Sequence, residues 1–478
     1  MAARAEDPAG PQRDESAPAN LRAQRSLRTG CPADSLTPML AHARRLAEAT
    51  PDSRNRYIDF LRAVSIIAVV LGHWLVITPW VDGTGVFHPD HLLTRSRTAQ
   101  WLTWVFQVLP VFFAVGGYAG ALSWESAVAK GTSYASWLQA RLVRLIRPTA
   151  PLLVTWIAVT LLTPAVFPSV LVEQGSIGAL SPLWFLAVYL AVTALAPATI
   201  AVWQRFGMAS VWVPVAATLI VDAIAFGLDV SWLRWVNYAF VWPAIFQIGY
   251  VWQARRLGRP RTRVALGGLL LVAAWLLVTV GPYPVAMIGV PGAQISNSAP
   301  PTAALLLLGI AQVLFLSSLE APARSWLRRI GPWTITVLVN GVIMTLFVWH
   351  YTVMVVPAVV DATWLGGFGL HLVPNTTAWW WSRPVWLLVL SGLMLVFMPL
   401  VARFERSSRA TAPTSTAIQL MALLMAIVGF AVVALVGTNG GIVGRWVFPA
   451  LPIVAILLIE RLHRSERYAP SHRNGDSP

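Results

Sequence analysis

The first long apolar run of the sequence carries four ionisable side chains: Arg56, Asp59, Arg62 and His73. Placing such groups inside a membrane costs roughly 2.5–3.5 kcal/mol each on insertion scales, so they are retained when they are functional or paired. Arg62 and His73 stand about three helical turns apart, so they share one helix face and are separated by ~16 Å along the axis. Asp59 lies one turn before Arg62 and can pair with it. The stripe therefore joins an ion pair at one membrane edge to an imidazole deep in the other half, where it suits proton transfer. The plainer alternative makes Asp59 and Arg62 an interfacial anchor and His73 a core hydrogen-bonder.

Two further buried polar groups belong with His73. Of the eight histidines, only His73 and His350 fall inside predicted spans. Measured from the inner end of each helix, His73 sits ~24 Å along, His350 ~25 Å and Asp222, the acid inside the fifth span, ~21 Å. The three are expected at one level in the outer third of the membrane, where a carboxylate beside an imidazole fixes its tautomer and raises its basicity. Asp222 can instead pair with Arg234, and His350 can be a structural hydrogen-bonder. The stretch Gly292 to Thr302 is uncharged but rich in hydroxyl and amide groups; it can close over a hydroxyl-rich acceptor or be an ordinary polar loop.

The elements that must hold these residues follow from composition. The chain has 478 residues, 56% apolar and only 12% charged, about half the charged fraction of a soluble domain. A water-soluble globule and a disordered chain are both excluded. The net charge of +15 sits in short clusters between apolar runs, the pattern of a multi-span membrane protein rather than of a nucleic-acid binder. At about 20 apolar residues per span, helices are predicted near 57–80, 100–123, 148–170, 181–203, 208–229, 232–253, 264–281, 302–320, 332–361, 384–402, 416–437 and 444–460. The fold class is thus an all-α polytopic bundle of about twelve helices, with ten or eleven as alternatives; the ninth is tilted or broken at Pro357. Residues 1–55 lack any long apolar stretch and read as a disordered tail, and 462–478 as a second tail. No secretory core precedes the first span, and Cys31 lacks the apolar run of a lipoprotein signal.

Setting Arg62 aside as intramembrane, five of the 35 basic residues fall outside and 29 inside when the N-terminus is cytoplasmic. That asymmetry orients the chain. Trp379-Trp380-Trp381 fits an aromatic belt at a span end. Cys31 is the only cysteine, so an internal disulfide and a CxxC metal site are excluded. Phosphate-loop, dinucleotide and HExxH signatures are absent, so no metal or bound cofactor is expected. Lys130 is the only lysine, and with the Ala and Pro richness this points to a GC-rich bacterial genome.

Arg56-x-x-Asp59-x-x-Arg62…His73 resembles the first-helix signature of the acyltransferase 3 family of bacterial membrane O-acyltransferases. Phe112-Phe113-Ala-Val-Gly116-Gly117-Tyr118 is similar to its "FFxxSGY", with Gly116 where Ser is usual. Arg141-x-x-Arg144-x-x-Arg147-Pro148 resembles its basic "RxxRxxP" segment, Leu183-Trp184-Phe185-Leu186 its "LWxL", and Trp349-His350 its late "WH". The resemblance spans residues 54 to 405, and 406–461 adds two helices to a ten-helix core. Where many members read "LWSLxxE", this chain has Phe185 for the Ser and Tyr189 for the Glu.

The resemblance implies transfer of an acyl group from cytoplasmic acyl-CoA to a hydroxyl of a saccharide, glycolipid or cell-envelope glycan at the outer side of a bacterial plasma membrane. His73, with Asp222 and His350, forms the expected catalytic group, His73 acting as general base or carrying the acyl group itself. Asp59 and Arg62 guard entry of the thioester, and Arg141, Arg144 and Arg147 meet the CoA phosphates. Membrane lipid surrounds the bundle; nucleic acid is not a partner, and the sequence leaves the oligomeric state open. The alternatives are a secondary transporter of a sugar-like or lipid-linked substrate and a non-catalytic membrane partner. No second copy of the Asp59/Arg62/His73 pattern occurs in the C-terminal half, against the repeated halves usual in transporters. The orientation is testable: cysteines placed at Arg259 or Arg406 should react with impermeant reagents only after lysis, and one at Ser296 in intact cells. Labelling at Arg259 from outside would overturn the topology.

Overall fold

The computed structural model describes residues 32–51, 53–162, 166–405, 414–438, 441 and 443–466. Backbone amides inside a bilayer find no water, so a spanning chain must satisfy them within helices. The described residues do so: ten helices are long and apolar enough to cross, or eleven if the bent pair Ala303–Ser318 and Glu320–Trp326 counts as one span. The chain is an all-α integral membrane protein. Among the described residues the one sheet is a two-stranded antiparallel hairpin, Ile77–Val81 with Phe87–His91.

The helices that build the site are α1 (Pro32–Glu48), α2 (Arg56–Val76), α3 (Leu109–Ala129), α4 (Tyr134–Ile146), α5 (Ala150–Leu162), α6 (Ser169–Leu180), α7 (Leu183–Ala194), α8 (Ala209–Gly227), α9 (Val241–Gln253), α10 (Pro260–Val280), α11 (Ala303–Ser318), α12 (Ile330–Gly341), α13 (Ile343–Trp364), α14 (Thr377–Val401), α15 (Thr416–Val436) and α16 (Phe448–Glu466). Helix α2 starts where the Asn55 side chain accepts the Tyr57 amide, an N-cap that supplies one of the orphan first-turn donors with a partner. It packs against α3, α12 and α13, and the hairpin continues directly from its last turn. Helices α15 and α16 lie on α7 and on α4 and α5, respectively.

Of the twelve predicted spans one is lost and another is bent, which leaves the ten or eleven given as alternatives. Residues 232–253, the predicted sixth span, form a 3-10 stretch, Ser231–Ala239, and the 13-residue α9. At 1.5 Å per residue α9 is ~20 Å long, too short to cross a ~30 Å core. Its apolarity serves the protein interior instead: Val241, Trp242 and every residue from Ala244 to Trp252 are buried. The eighth, predicted at 302–320, is the bent pair, turned by 53° at its break.

Two other expectations change. Residues 32–48 of the expected disordered tail form α1, while 1–31 lie outside the described residues. Met39, Ala43 and Ala47 recur at four-residue spacing, so they share one face, and Ala43 and Ala47 are buried in the contact between α1 and α12. A stripe of small residues escapes a test based on long apolar runs. The ninth predicted span breaks at Gly341–Val342, between α12 and α13, whereas Pro357 sits inside the continuous α13. The Glu405 carboxylate fixes that break, accepting the Met344 and Thr345 amides and the Thr345 hydroxyl at 2.7–3.0 Å.

The tightest helix contact joins α3 to α9. A Cβ on Gly117 would lie 1.9 Å from the Phe246 carbonyl oxygen, and one on Gly249 would lie 2.1 Å from that of Ala114. Backbone cannot yield as a flexible side chain does, so the helices would have to part, at a cost of about 1–3 kcal/mol or more. Gly117→Ala should therefore lower the thermal unfolding midpoint of the purified protein by about 3 °C or more. Gly268→Ala, with nothing near its Cβ position, should leave the midpoint unchanged. Equal midpoints for the two variants would remove this contact from the account of stability.

Candidate active site

His73 of α2 and His350 of α13 meet: Nδ1 of His73 lies 2.9 Å from Nε2 of His350, and the rings stack at 5.1 Å. The proton positions follow from the far side of His350. Its Nδ1 lies 2.7 Å from the Phe347 carbonyl oxygen, which can only accept, so that nitrogen carries the hydrogen. In a neutral ring Nε2 is then the acceptor, and His73 Nδ1–H donates to it. The His73 Nε2 lone pair is left over, without a hydrogen bond to any described residue. A carbonyl and a fully buried imidazole thus fix the tautomer of a second, partly exposed imidazole. That is the arrangement in which a base is oriented by a third group.

The pair is held at its height by backbone contacts. Trp74 Nε1 donates to the His350 carbonyl at 2.8 Å, and Trp386 Nε1 donates to the Trp74 carbonyl at 3.1 Å. The Tyr351 ring closes on both imidazoles, 4.8 Å from each centroid. His91, at the end of the hairpin, is near enough for its charge to act on His73. Burial pushes the His91 imidazole down to about 4, with Asp90 opposing, so at neutral pH it places no cation there. Being outside every predicted span, His91 was invisible to the sequence argument.

A cavity of about 560 Å³ runs along α2 from its Arg54 end and stops short of this pair; its volume is within the usual range for small-molecule sites. Along α2 it is lined by Ile58, Asp59, Arg62, Ile66 and Val69, one turn short of His73. Phe347 lines its deep end, with its ring 6.3 Å from that of His350. Its charged lining is Arg54, Arg62, Arg141 and Arg144 against Asp59 alone. Asp59 accepts from Arg54 Nε at 2.7 Å and faces Arg62 at 3.8 Å, so it is shared between two cations. Arg141 lies over the Trp137 ring and bonds the Trp137 carbonyl and Ser123. Arg62 and Arg144 are close enough for their charges to oppose one another. Like charges held together around a cavity favour an anionic occupant.

The residues that depart from the family pattern pack as one unit at this cavity. A Cβ on Gly116 would lie 2.6 Å from the Tyr189 hydroxyl, so a side chain there and the phenol exclude each other. Phe185 stacks on Tyr189 at 5.5 Å and meets Phe347 edge-on at 5.3 Å. Arg62, Arg141 and Arg144 all act on the Tyr189 phenol. Sequence spacing flagged each substitution but not their contact.

Other expected site residues lie elsewhere. Asp222 does not join the imidazoles: its carboxylate accepts from Asn237 Nδ2 at 2.7 Å, Tyr283 hydroxyl at 3.0 Å and the Ala303 amide at 2.8 Å. It thereby ties α8 to the 3-10 stretch, to the loop after α10 and to the first turn of α11. Equal depth did not mean adjacency. Arg147 lines a second cavity, beside Arg403 and Glu460, because its helix turns by about 300° over each three-residue step and Arg147 opens a 3-10 turn. Arg56 anchors a loop, bonding the Leu327 carbonyl and lying over Trp333. In the 292–302 stretch Asn297 and Thr302 bond each other, and Asn297 also bonds the Pro284 and Ala286 carbonyls. The described contacts there are those of an ordinary folded loop.

The model of the acyltransferase domain family, acyltransferase 3, matches residues 55–403, most of the chain, including the imidazole pair and every residue around the cavity except Arg54. The chain belongs to this family and is a membrane acyltransferase. Membership decides for group transfer over transport. Neither a curated protein nor a solved structure matches the chain.

Asp222 gives a direct check on this division of roles. Asp222→Ala strands three buried donors, each at about 1–3 kcal/mol, and should sharply lower thermal stability and folded yield. Turnover per folded molecule should stay within about twofold of wild type, because no reacting group is touched. A folded Asp222→Ala protein without turnover would return the residue to the catalytic group.

Proposed function

We propose that the protein transfers an acyl group from acyl-CoA to a hydroxyl of a saccharide, glycolipid or cell-envelope glycan, with the donor entering at the cytoplasmic face of a bacterial plasma membrane and the acceptor at the outer one. The observation that carries this reading is the tautomer relay from Phe347 through His350 to His73, about one helical turn beyond the end of a cavity lined by four arginines. The CoA phosphates meet Arg141 and Arg144, whose planar guanidinium groups suit phosphate oxygens. Arg62, held against Asp59, faces the same charge. The uncharged arm of the donor follows the cavity past Phe112, Phe185 and Phe347, which brings the thioester to within about one helical turn of the imidazoles.

His73 acts as general base. Its Nε2 takes the proton of the acceptor hydroxyl as the oxygen forms a bond to the acyl carbon. The C–S bond then breaks, and the imidazolium returns its proton to the departing thiolate. His350 contributes by accepting the His73 Nδ1–H throughout, so the charge that develops on His73 is hydrogen-bonded rather than buried alone. The fit of an acyl donor rests on the charge asymmetry along one channel, polar at the entry and aromatic at the end.

Membranes given radiolabelled acetyl-CoA should produce a labelled envelope fraction. His73→Ala should insert and accumulate normally but lose about 10²–10⁴-fold in turnover, the usual worth of a general base. The double variant Arg141→Lys/Arg144→Lys keeps both charges but loses the bidentate geometry. It should raise the apparent KM for acyl-CoA by about tenfold with a smaller change in kcat. His73→Ala retaining more than about a tenth of wild-type turnover would remove the base role. An unchanged KM in the arginine variant would move the donor site elsewhere.

A further inference from the structure

The second cavity, of about 610 Å³, lies apart from the first, between α5, α14 and α16. Its walls are almost wholly apolar, with Trp349 and Phe397 packed edge-on at 4.7 Å. Its charged groups gather at one end: Arg147, Arg403 and Glu460. Val154 and Leu400 line it too and are 54% and 61% exposed, so the groove opens sideways on the surface that faces lipid. A polar end on an apolar, laterally open groove matches an amphiphile lying along the helices.

Charge identifies its head group. Two arginines against one glutamate leave one net positive charge, which one phosphodiester neutralises. The protein leaves donors and acceptors for such a group. Arg147 Nε and Glu460 Oε1 are 3.8 Å apart, too far for a hydrogen bond. Arg147 Nη1 and Glu460 Oε1 are both buried without a hydrogen-bond partner among the described residues. A phosphate oxygen would satisfy the first, and a hydroxyl of the same head group would satisfy the second.

We propose that this groove is a binding site for phosphatidylglycerol, drawn from the leaflet at the Arg147 end. The phosphate binds Arg147 and Arg403, a glycerol hydroxyl donates to Glu460, and one acyl chain lies along α14 and α16 towards Trp349. Trp349 directly precedes His350, so the chain supports the helix turn that carries the catalytic pair from its lipid side. The site is independent of the donor reading, since no residue of the first cavity takes part.

The test is lipid retention by the purified full-length protein, read by native mass spectrometry after exchange into mixed phosphatidylglycerol and phosphatidylcholine. Wild type should retain phosphatidylglycerol over phosphatidylcholine by about fivefold, the worth of roughly one cation near a phosphate. Arg403→Gln should erase that preference. Val154→Trp, which fills the groove from its exposed rim without disturbing the core, should lower retention of both lipids at this site. Arg403→Lys should keep the preference and so separate charge from misfolding. Free glycerol phosphate should not compete, because the chain supplies the apolar contact. Equal retention of the two lipids by wild type would overturn the proposal, as would a preference untouched by Arg403→Gln, retention untouched by Val154→Trp, or displacement by glycerol phosphate.

Discussion

The hydrogen bond between His73 and His350 sets the terms for the rest of the bundle. Its partners stand 277 residues apart in the chain, and a one-turn slip of either helix, about 5.4 Å, would separate them. Both helices are therefore fixed at more than one point. Helix α2 is capped by Asn55, whose amide nitrogen also donates to Tyr118 and Glu320, and is tied at its far end through Trp74 and Trp386. Helix α13 has its first amides bound to Glu405. The break between α12 and α13 thus lets His350 take its own height, independent of α12.

Electrostatics completes the site from the opposite end. Four arginines stand against one aspartate, which pairs with two of them, around a cavity whose deep end is aromatic. Such a distribution costs stability in the empty protein, because like charges in a partly desolvated space repel. The cation–π and carbonyl contacts of Arg141 and the double use of Asp59 reduce that cost without removing the excess charge. Site and strain are the same feature: the repulsion that destabilises the empty cavity is the attraction offered to an anionic ligand.

Much of this was legible in the sequence, and the limits have physical causes. The stripe Asp59–Arg62–His73 could be read because helical periodicity within one element is local. The common depth of His73 and His350 could be read because rise per residue is constant. Adjacency was not available from either quantity, which is why Asp222, at a similar computed depth, was grouped with the imidazoles although it ties α8 to the start of α11. The count of spans failed at 232–253 for a related reason: apolarity reports burial, and burial by protein in α9 is indistinguishable in composition from burial by lipid. Helix α1 was missed because its stripe consists of alanines, whose small side chains give little hydropathy yet allow close packing.

The arginine row shows how geometry divides what a motif presents as one. Arg141, Arg144 and Arg147 are equally spaced, and a linear reading gives them one role. Three-residue steps carry successive side chains round the helix rather than along it, so the row slants. Arg141 and Arg144 reach the cavity along α2, while Arg147 turns to the groove between α5 and α16. The chain then leaves the helix through the 3-10 turn Arg147–Thr149, where Pro148 lacks the amide that would continue the ladder. That turn directs α5 across the face of α16 and so forms one wall of the second groove. A single basic segment therefore serves two cavities because a proline follows it at the point where the helix has rotated away from the first.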